Sequence, residues 1–292
     1  MVLESLIKGE EARKHPLVMM FLAGILASIG IWASYVLFPA NASVLSIGFV
    51  TIGIVPILYT IFILEEAAEA SEKGKWFSFA SRHFDIIKIY SWFFIGLVLT
   101  YSLWYVVLPG DERTMVFSEQ NKVIGNIWNL RENLTGNFIG PQEVCGENIW
   151  CWFNVILRNN LQVLFWAVML SLVYGVGAMF LIAWNASVIG ALIGQNTIQL
   201  VAGYASFWPF EYILAYGHAL IKSLGLVPHG FFEVVGYFVG AIAGALISIV
   251  VTKGHYRKHE LDLLIKDSIG LILIAVIMLI IGAYIEAVLI VG

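Results

Sequence analysis

Long apolar stretches with few charged residues recur along almost the whole chain. Crossing the hydrocarbon core of a bilayer takes about 20 consecutive apolar residues in a helix, and a helix satisfies its own backbone hydrogen bonds there. The sequence therefore predicts an all-α, polytopic transmembrane bundle that forms one domain over residues 1–292. We expect about seven spans, within a range of about five to seven. The predicted spans cover 17–38, 44–64, 86–108, 161–183, 186–203, 231–252 and 268–291.

The amino-acid composition excludes a soluble domain. Hydrophobic residues make up 60% of the chain and charged residues 12%, with a mean hydropathy of +0.87. A soluble domain is about a quarter charged, so this chain has too few charges to build a water-facing surface. We expect a multi-pass protein of the cell membrane, surrounded by the lipid bilayer. The sequence has no run of Lys and Arg that would bind nucleic acid, and no such partner is expected.

The fifth predicted span is the shortest and holds three polar side chains, those of Gln195, Asn196 and Gln199. It either crosses the membrane fully or forms a re-entrant segment. Just before it, Asn185 predicts a tight turn between the fourth and fifth spans. At the start of the fourth span, Arg158–Asn160 either cap the helix or face the protein interior, and we favour the cap.

The distribution of Lys and Arg predicts the orientation in the membrane. With the N-terminus in the cytosol, the inner segments 1–16, 65–85 and 253–267 hold ten Lys and Arg, whereas the outer segments hold five. Positive residues are enriched on the cytosolic side, so the N-terminus is expected inside and, with seven spans, the C-terminus outside. Residues 65–88 are expected to form an amphipathic cytosolic connector.

The longest polar segment, 109–158, is expected on the outer side as an extracytoplasmic loop or a small cap. Cys145 and Cys151 flank a short turn within it, and a disulfide between them is expected on that side of the membrane. Two N-x-S/T sequons also fall in the predicted outer segments. They make Asn41 and Asn133 candidates for glycosylation.

The sixth predicted span carries two polar residues, His229 and Glu233, on the same helical face as a row of glycines. The glycines are Gly236, Gly240 and Gly244, and Val239 is expected to face outward. Glycines at every fourth residue let a second helix approach closely. The fifth span has a matching row, Ala186, Gly190 and Gly194. We expect these two spans to pack as an antiparallel pair.

That pairing would bring polar groups together in the outer half of the membrane, because such groups face the protein interior and pair with one another. The expected polar seam consists of Gln195, Asn196, Gln199, His229, Glu233 and Glu286. A lock of hydrogen bonds at the helix start is the favoured role. The spacing of His229 and Glu233 could also hold a metal ion or share a proton. No metal ion or other cofactor is expected, and the sequence assigns no catalytic residue.

The segment "LVPHGFFEVVGYFVGAIAGALIS" resembles the signature of the stage II sporulation protein M family, in which a Pro-His-Gly-x-x-Glu run opens a membrane helix. The matching residues here are Pro228, His229, Gly230 and Glu233. Upstream, "NNLQVLFWAVMLSLVYGVGAMFLIAWNASVIGALIG" is similar to the family's glycine-rich span and its turn into the next helix. The resemblance covers roughly 158–252. It implies a membrane anchor or scaffold that works with partner proteins, and it brings no catalytic role.

Three functions are compatible with these features. A scaffold that recruits other membrane proteins, or further copies of itself, is favoured by the resemblance and by the absence of an evident nucleophile in the sequence. A transporter or channel is the alternative, because the polar fifth span resembles the interrupted helices of such proteins. A membrane-embedded metal hydrolase is the third. The sequence favours a role that is not enzymatic.

The orientation predicts the result of cysteine labelling. Glu72→Cys and His255→Cys should both react from the cytosolic side, because both positions fall in the positively charged inner segments. Intact and permeabilised cells treated with a membrane-impermeant maleimide would be compared, with the unchanged protein as the control. Labelling of either position in intact cells would contradict the orientation.

Overall fold

The computed structural model describes residues 15–69, 78–132, 145–174, 177–202, 209–223, 227–253 and 258–292. Within these ranges every regular element is helical, which confirms the predicted all-α fold. A short 3-10 turn, Pro39–Asn41, joins the first two helices. The α-helices are α1 (Val18–Leu37), α2 (Ala42–Glu69), α3 (Ser78–Val107), α4 (Gly110–Val116), α5 (Ser118–Glu132), α6 (Ile149–Tyr174), α7 (Met179–Ala202), α8 (Pro209–Ser223), α9 (Val227–Lys253) and α10 (Lys258–Val291).

Seven of the described helices are long and apolar enough to cross a membrane, as the sequence predicted. They are α1, α2, α3, α6, α7, α9 and α10. The fifth of them, α7, is a continuous helix of 24 residues. Its length is that of a full span.

The boundary between the fourth and fifth spans differs from the predicted one. The structure ends α6 at Tyr174 and begins α7 at Met179, so the turn expected at Asn185 is wrong. Asn185 lies inside α7, where its Nδ2 donates to the backbone oxygen of Leu181 at 2.8 Å. An asparagine that bonds back to its own helix no longer favours a turn. The chain turns instead at 177–178, where Ala178 N donates to Ser171 Oγ at 3.3 Å.

The spanning helices form two groups. In the first group, α1 packs against α2 and α3, and α7 packs against α3 and α8. In the second, α9 packs against both α6 and α10, and α10 also contacts α6. The groups meet where Phe238 of α9 lies against Tyr90 and Phe94 of α3, with ring centroids 5.6 Å and 5.8 Å apart.

The small-residue row of α7 packs against α3. A Cβ added at Gly190 would lie 2.8 Å from Tyr101 Cβ and 2.9 Å from Val98 O, which no real side chain tolerates. Gly194 lies equally close to Tyr105, and Ala186 is fully buried. The predicted pairing of this row with the sixth span is therefore wrong. The spacing of small residues predicts a close approach, but it does not specify the partner helix.

The glycine row of α9 faces the other two helices of its own group. A Cβ at Gly244 would lie 2.5 Å from Val168 O of α6, and one at Gly240 would collide with Leu164 of the same helix. A Cβ at Gly236 would lie 3.0 Å from Leu279 of α10. The row thus lets α9 approach two neighbours at once.

Val239 does not face outward as the sequence suggested. Its side chain is 3% exposed, and residues 236–246 of α9 are all buried. The expectation is wrong because α9 is covered on one side by α6 and α10 and on another by α3. A helix covered in this way has no lipid-facing side over these turns.

The polar segment 109–158 contains α4, α5 and the first turns of α6. The fully buried Gln120 joins α5 to the bundle, because its Nε2 donates to Ser187 Oγ of α7 at 3.1 Å. Ser118 donates to Ser43 of α2 at 3.3 Å. The segment therefore contacts the start of α2 and the interior of α7.

Cys145 and Cys151 lie at disulfide distance, with their Cα atoms 5.2 Å apart. Gly146, between them, has a φ of 50°, which glycine adopts without strain. Asn41 is exposed in the 3-10 turn, whereas Asn133 is outside the described residues. The predicted connector 65–88 is divided between the end of α2 and the start of α3, and its residues 70–77 are also outside them.

The glycine contacts predict the effect of adding one methyl group. Gly244→Ala should lower the midpoint of thermal unfolding in detergent, because overpacking against backbone costs about 1–3 kcal/mol. Gly48→Ala is the matched control, since a Cβ at Gly48 of α2 would meet nothing within 4 Å. Its midpoint should stay the same or rise slightly, because alanine favours a helix. Equal midpoints for the two variants would contradict the close packing of α9 on α6.

Candidate functional site

Polar side chains from α6 and α9 bond to one another between the helices. Asn160 Nδ2 of α6 donates to Glu233 Oε1 of α9 at 2.6 Å. Tyr237, one turn after Glu233, donates its hydroxyl to Asn160 Oδ1 at 2.9 Å. Asn160 is 4% exposed and Tyr237 is 8% exposed. The Asn160 amide thus bridges two side chains of α9, and both ends of the amide are satisfied.

Glu286 of α10 completes this network, because its carboxyl group lies against that of Glu233 and interacts with it. Ionised carboxylates only accept hydrogen bonds, so a bond between two carboxyl groups requires a proton on one of them. Two negative charges in such contact within an apolar bundle would also repel each other strongly. The arrangement therefore favours one proton shared between Glu233 and Glu286. We call Asn160, Glu233, Tyr237 and Glu286 the polar network.

Small residues bring the two carboxyl groups within reach of each other. A Cβ at Gly236, one turn after Glu233, would lie 3.3 Å from Ala275 O of α10, so the two backbones pass close together there. On α10, Ala283 and Ala287 flank Glu286 and are fully buried. A larger residue at Gly236 would separate α9 from α10. The close approach allows two side chains of ordinary length to meet.

The network contains part of the predicted seam. Two of the residues predicted for the seam, Glu233 and Glu286, lie together, and Asn160 joins them from α6. The favoured capping role of Arg158–Asn160 is wrong, because α6 begins several turns earlier, at Ile149. Tyr237 was missed by the sequence reasoning. Its spacing of one turn from Glu233 was the available signal, but an aromatic residue within an apolar run is ordinarily a packing residue.

The three seam residues predicted on the fifth span do not belong to the network. Gln195, Asn196 and Gln199 lie on the last turns of α7, which packs chiefly against α3 and α8. The backbones of Pro228, His229 and Gly230 form the first turn of α9. The side chains of Pro228 and His229 lie outside those that the structure describes. Within the described part of the chain, no three His, Cys, Asp or Glu residues are grouped to hold a metal ion.

Comparison with known proteins identifies the family. The sequence model of the stage II sporulation protein M family matches residues 89–289, which is well over half of the chain. The chain belongs to the stage II sporulation protein M family. The predicted resemblance is thereby confirmed, and the match extends beyond the 158–252 segment at both ends. All four residues of the polar network fall within the part matched by this family.

One relative in this family comes from Methanocaldococcus jannaschii and is named "Uncharacterized protein MJ0793". It is 30% identical to this chain over 166 residues, which is 56% of this chain and 80% of the relative. No solved structure matches the chain.

The shared proton predicts how stability depends on pH. The folded protein keeps the shared proton at pH values where the unfolded chain has lost it, so stability should fall as the pH rises above about 4.3, the ordinary value for a glutamate side chain. Glu286→Gln should flatten this dependence, because the glutamine amide donates to Glu233 without a proton from solvent. The thermal midpoint in detergent would be followed from acidic to neutral pH.

The control for this experiment is Glu119→Gln. Glu119 is paired with the exposed Lys122 at 2.6 Å on the surface of α5. Removing the charge of Glu119 should therefore leave the pH dependence of stability as it is in the wild-type protein. The same slope in the wild-type and Glu286→Gln proteins would show that the two carboxyl groups do not share a proton.

Proposed function

We propose that this protein is a scaffold of the cell membrane that binds partner membrane proteins. The observation that carries the proposal is that the network side chains bond to one another rather than standing apart around a passage. A set of polar groups closed in this way fixes the arrangement of α6, α9 and α10. A fixed arrangement of helices is what a platform for other proteins needs.

The uneven covering of the helices supports a role in binding. Of the residues in the α9 span, 61% are buried within this chain, whereas the share for α6 is 22%. The same chain therefore holds α9 as a central helix and leaves a much larger share of α6 at least partly exposed. The family resemblance, which implies work with partner proteins, favours the same role. We also propose that the N-terminus is cytosolic, which places the polar network in the outer half of the membrane.

Affinity capture tests the scaffold function. The tagged full-length protein would be isolated from its native membranes in mild detergent, and recovered proteins would be quantified against an unrelated tagged multi-pass protein. We expect one or a few membrane proteins in amounts comparable to the scaffold itself. Recovery of the scaffold alone from several mild detergents would contradict the proposal.

A second candidate function is transport coupled to protons. The observation that favours it is the carboxyl pair, because intramembrane acidic residues often mark proton pathways. Purified protein in liposomes would then carry protons across the membrane, and Glu286→Gln would abolish the flux while the protein stayed folded. Specific flux of this kind would replace the scaffold proposal. The third function, a metal hydrolase, has no ligand set among the described residues that favours it.

A further inference from the structure

Three polar side chains of α6 face away from the rest of the chain. Arg158, Asn159 and Gln162 are exposed, whereas Asn160 among them is buried in the polar network. Residues three and four apart lie on the same face of a helix, so the three side chains are neighbours. The same face is continued by three exposed apolar residues, Val155, Phe165 and Trp166. We name these six residues the α6 polar face.

The α6 polar face lies at the depth of the hydrocarbon. α6 extends from Ile149 to Tyr174, and about 20 residues are needed to cross the bilayer core. Counting that many residues back from Tyr174 reaches Val155, and counting them forward from Ile149 reaches Val168. Both placements put Arg158 and Gln162 inside the crossing segment.

Lipid does not satisfy the polar groups of this face. Hydrocarbon offers no hydrogen-bond partners, and polar residues in spans therefore face protein or water and pair there. Arg158 has a long side chain that points toward the nearer end of its helix, and it can reach the headgroups. The amide side chains of Asn159 and Gln162 are too short for this. Their partners must come from another protein segment in the membrane.

We propose that the α6 polar face binds a transmembrane helix of a partner protein, and that this helix carries Asp or Glu at the depth of Arg158. This assignment rests on the proposed scaffold function and names its contact surface. The guanidinium of Arg158 would pair with the carboxylate through two parallel hydrogen bonds. The amides of Asn159 and Gln162 would bond to polar groups of the same helix, and Phe165 and Trp166 would supply apolar contact.

A second copy of this chain does not fit the face. In a symmetric pair, each copy presents the same surface to the other, so the two Arg158 side chains would come together. α6 contains no acidic residue from Ile149 to Tyr174, and so it offers no carboxylate to another α6. Like charges brought together act against such a complex. The charge of the face therefore favours a partner of opposite sign.

A synthetic probe tests this charge preference with the purified full-length protein. The probe is a polyleucine transmembrane peptide with one Glu at the depth of Arg158, and the same peptide with Lys is its counterpart. Energy transfer between labelled peptide and labelled protein would be measured in phospholipid vesicles. We expect the Glu peptide to bind at least about tenfold more tightly than the Lys peptide.

Substitutions at Arg158 separate this contact from unspecific association. Arg158→Leu should remove the preference, and Arg158→Glu should reverse it toward the Lys peptide. Lys222→Leu, which removes an exposed cation of α8, is the matched control and should keep the wild-type preference. Equal binding of the two peptides by the wild-type protein would overturn the proposal.

Photo-crosslinking in native membranes identifies what covers the face. Phe165 would be replaced by p-benzoylphenylalanine, and Leu273, an exposed apolar residue of α10, would be replaced in the control. We expect an adduct at position 165 with a transmembrane segment of another protein that contains Asp or Glu, and its loss in Arg158→Glu. Adducts with lipid alone, or with a second copy of this chain, would overturn the assignment.

The two proposals fail in different ways. Affinity capture could recover partners that never crosslink at position 165. That result would support the scaffold function and would exclude the α6 polar face as its contact surface. The absence of any captured partner, together with equal binding of the two peptides, would remove both.

Discussion

Close approach of backbones at the glycine row of α9 is the constraint on which the second helix group depends. Gly244 lies against the backbone of α6, and Gly236 lies near that of α10. Only at such separations can an asparagine from α6 and a glutamate from α10 both reach Glu233. The polar side chains then replace the hydrogen bonds that water would otherwise provide. Lipid supplies no hydrophobic driving force between helices, so close packing and these hydrogen bonds hold the three helices together.

The all-α fold and its seven candidate spans could be predicted because the bilayer sets the required length of an apolar helix. The pairing of the helices could not. Gly190 and Gly240 both predict a closely packed neighbouring helix, but the glycine spacing does not specify whether that helix is α3, α6 or α9. The prediction of a turn at Asn185 was wrong for a related reason. An asparagine side chain can stabilise a turn, but it can also hydrogen-bond to the backbone of its own helix. Local pattern determines the element, whereas its neighbours are determined by the whole chain.

The polar network was accessible to sequence reasoning only in part. Glu233 and Glu286 stand out because a carboxyl group within an apolar span is costly. For Asn160 the sequence allowed two roles, a helix cap or a polar group facing the protein interior, and only the start of α6 decides between them. Tyr237 gave no distinct signal, because its hydroxyl acquires a role only through Asn160 on another helix. The family match, from residue 89 to residue 289, includes this network and leaves α1 and α2 outside. These two helices pack onto the matched part, α1 against α3 and α2 against α7.

The adjacency of Tyr237 and Phe238 connects two parts of the molecule mechanically. The first bonds to Asn160 within the second helix group, and the second lies against Tyr90 and Phe94 at the junction with the first group. Consecutive residues of a helix are held about 100° apart around its axis. A rotation of α9 would therefore displace both side chains together, so that strain applied at one helix group is transmitted to the other as torque.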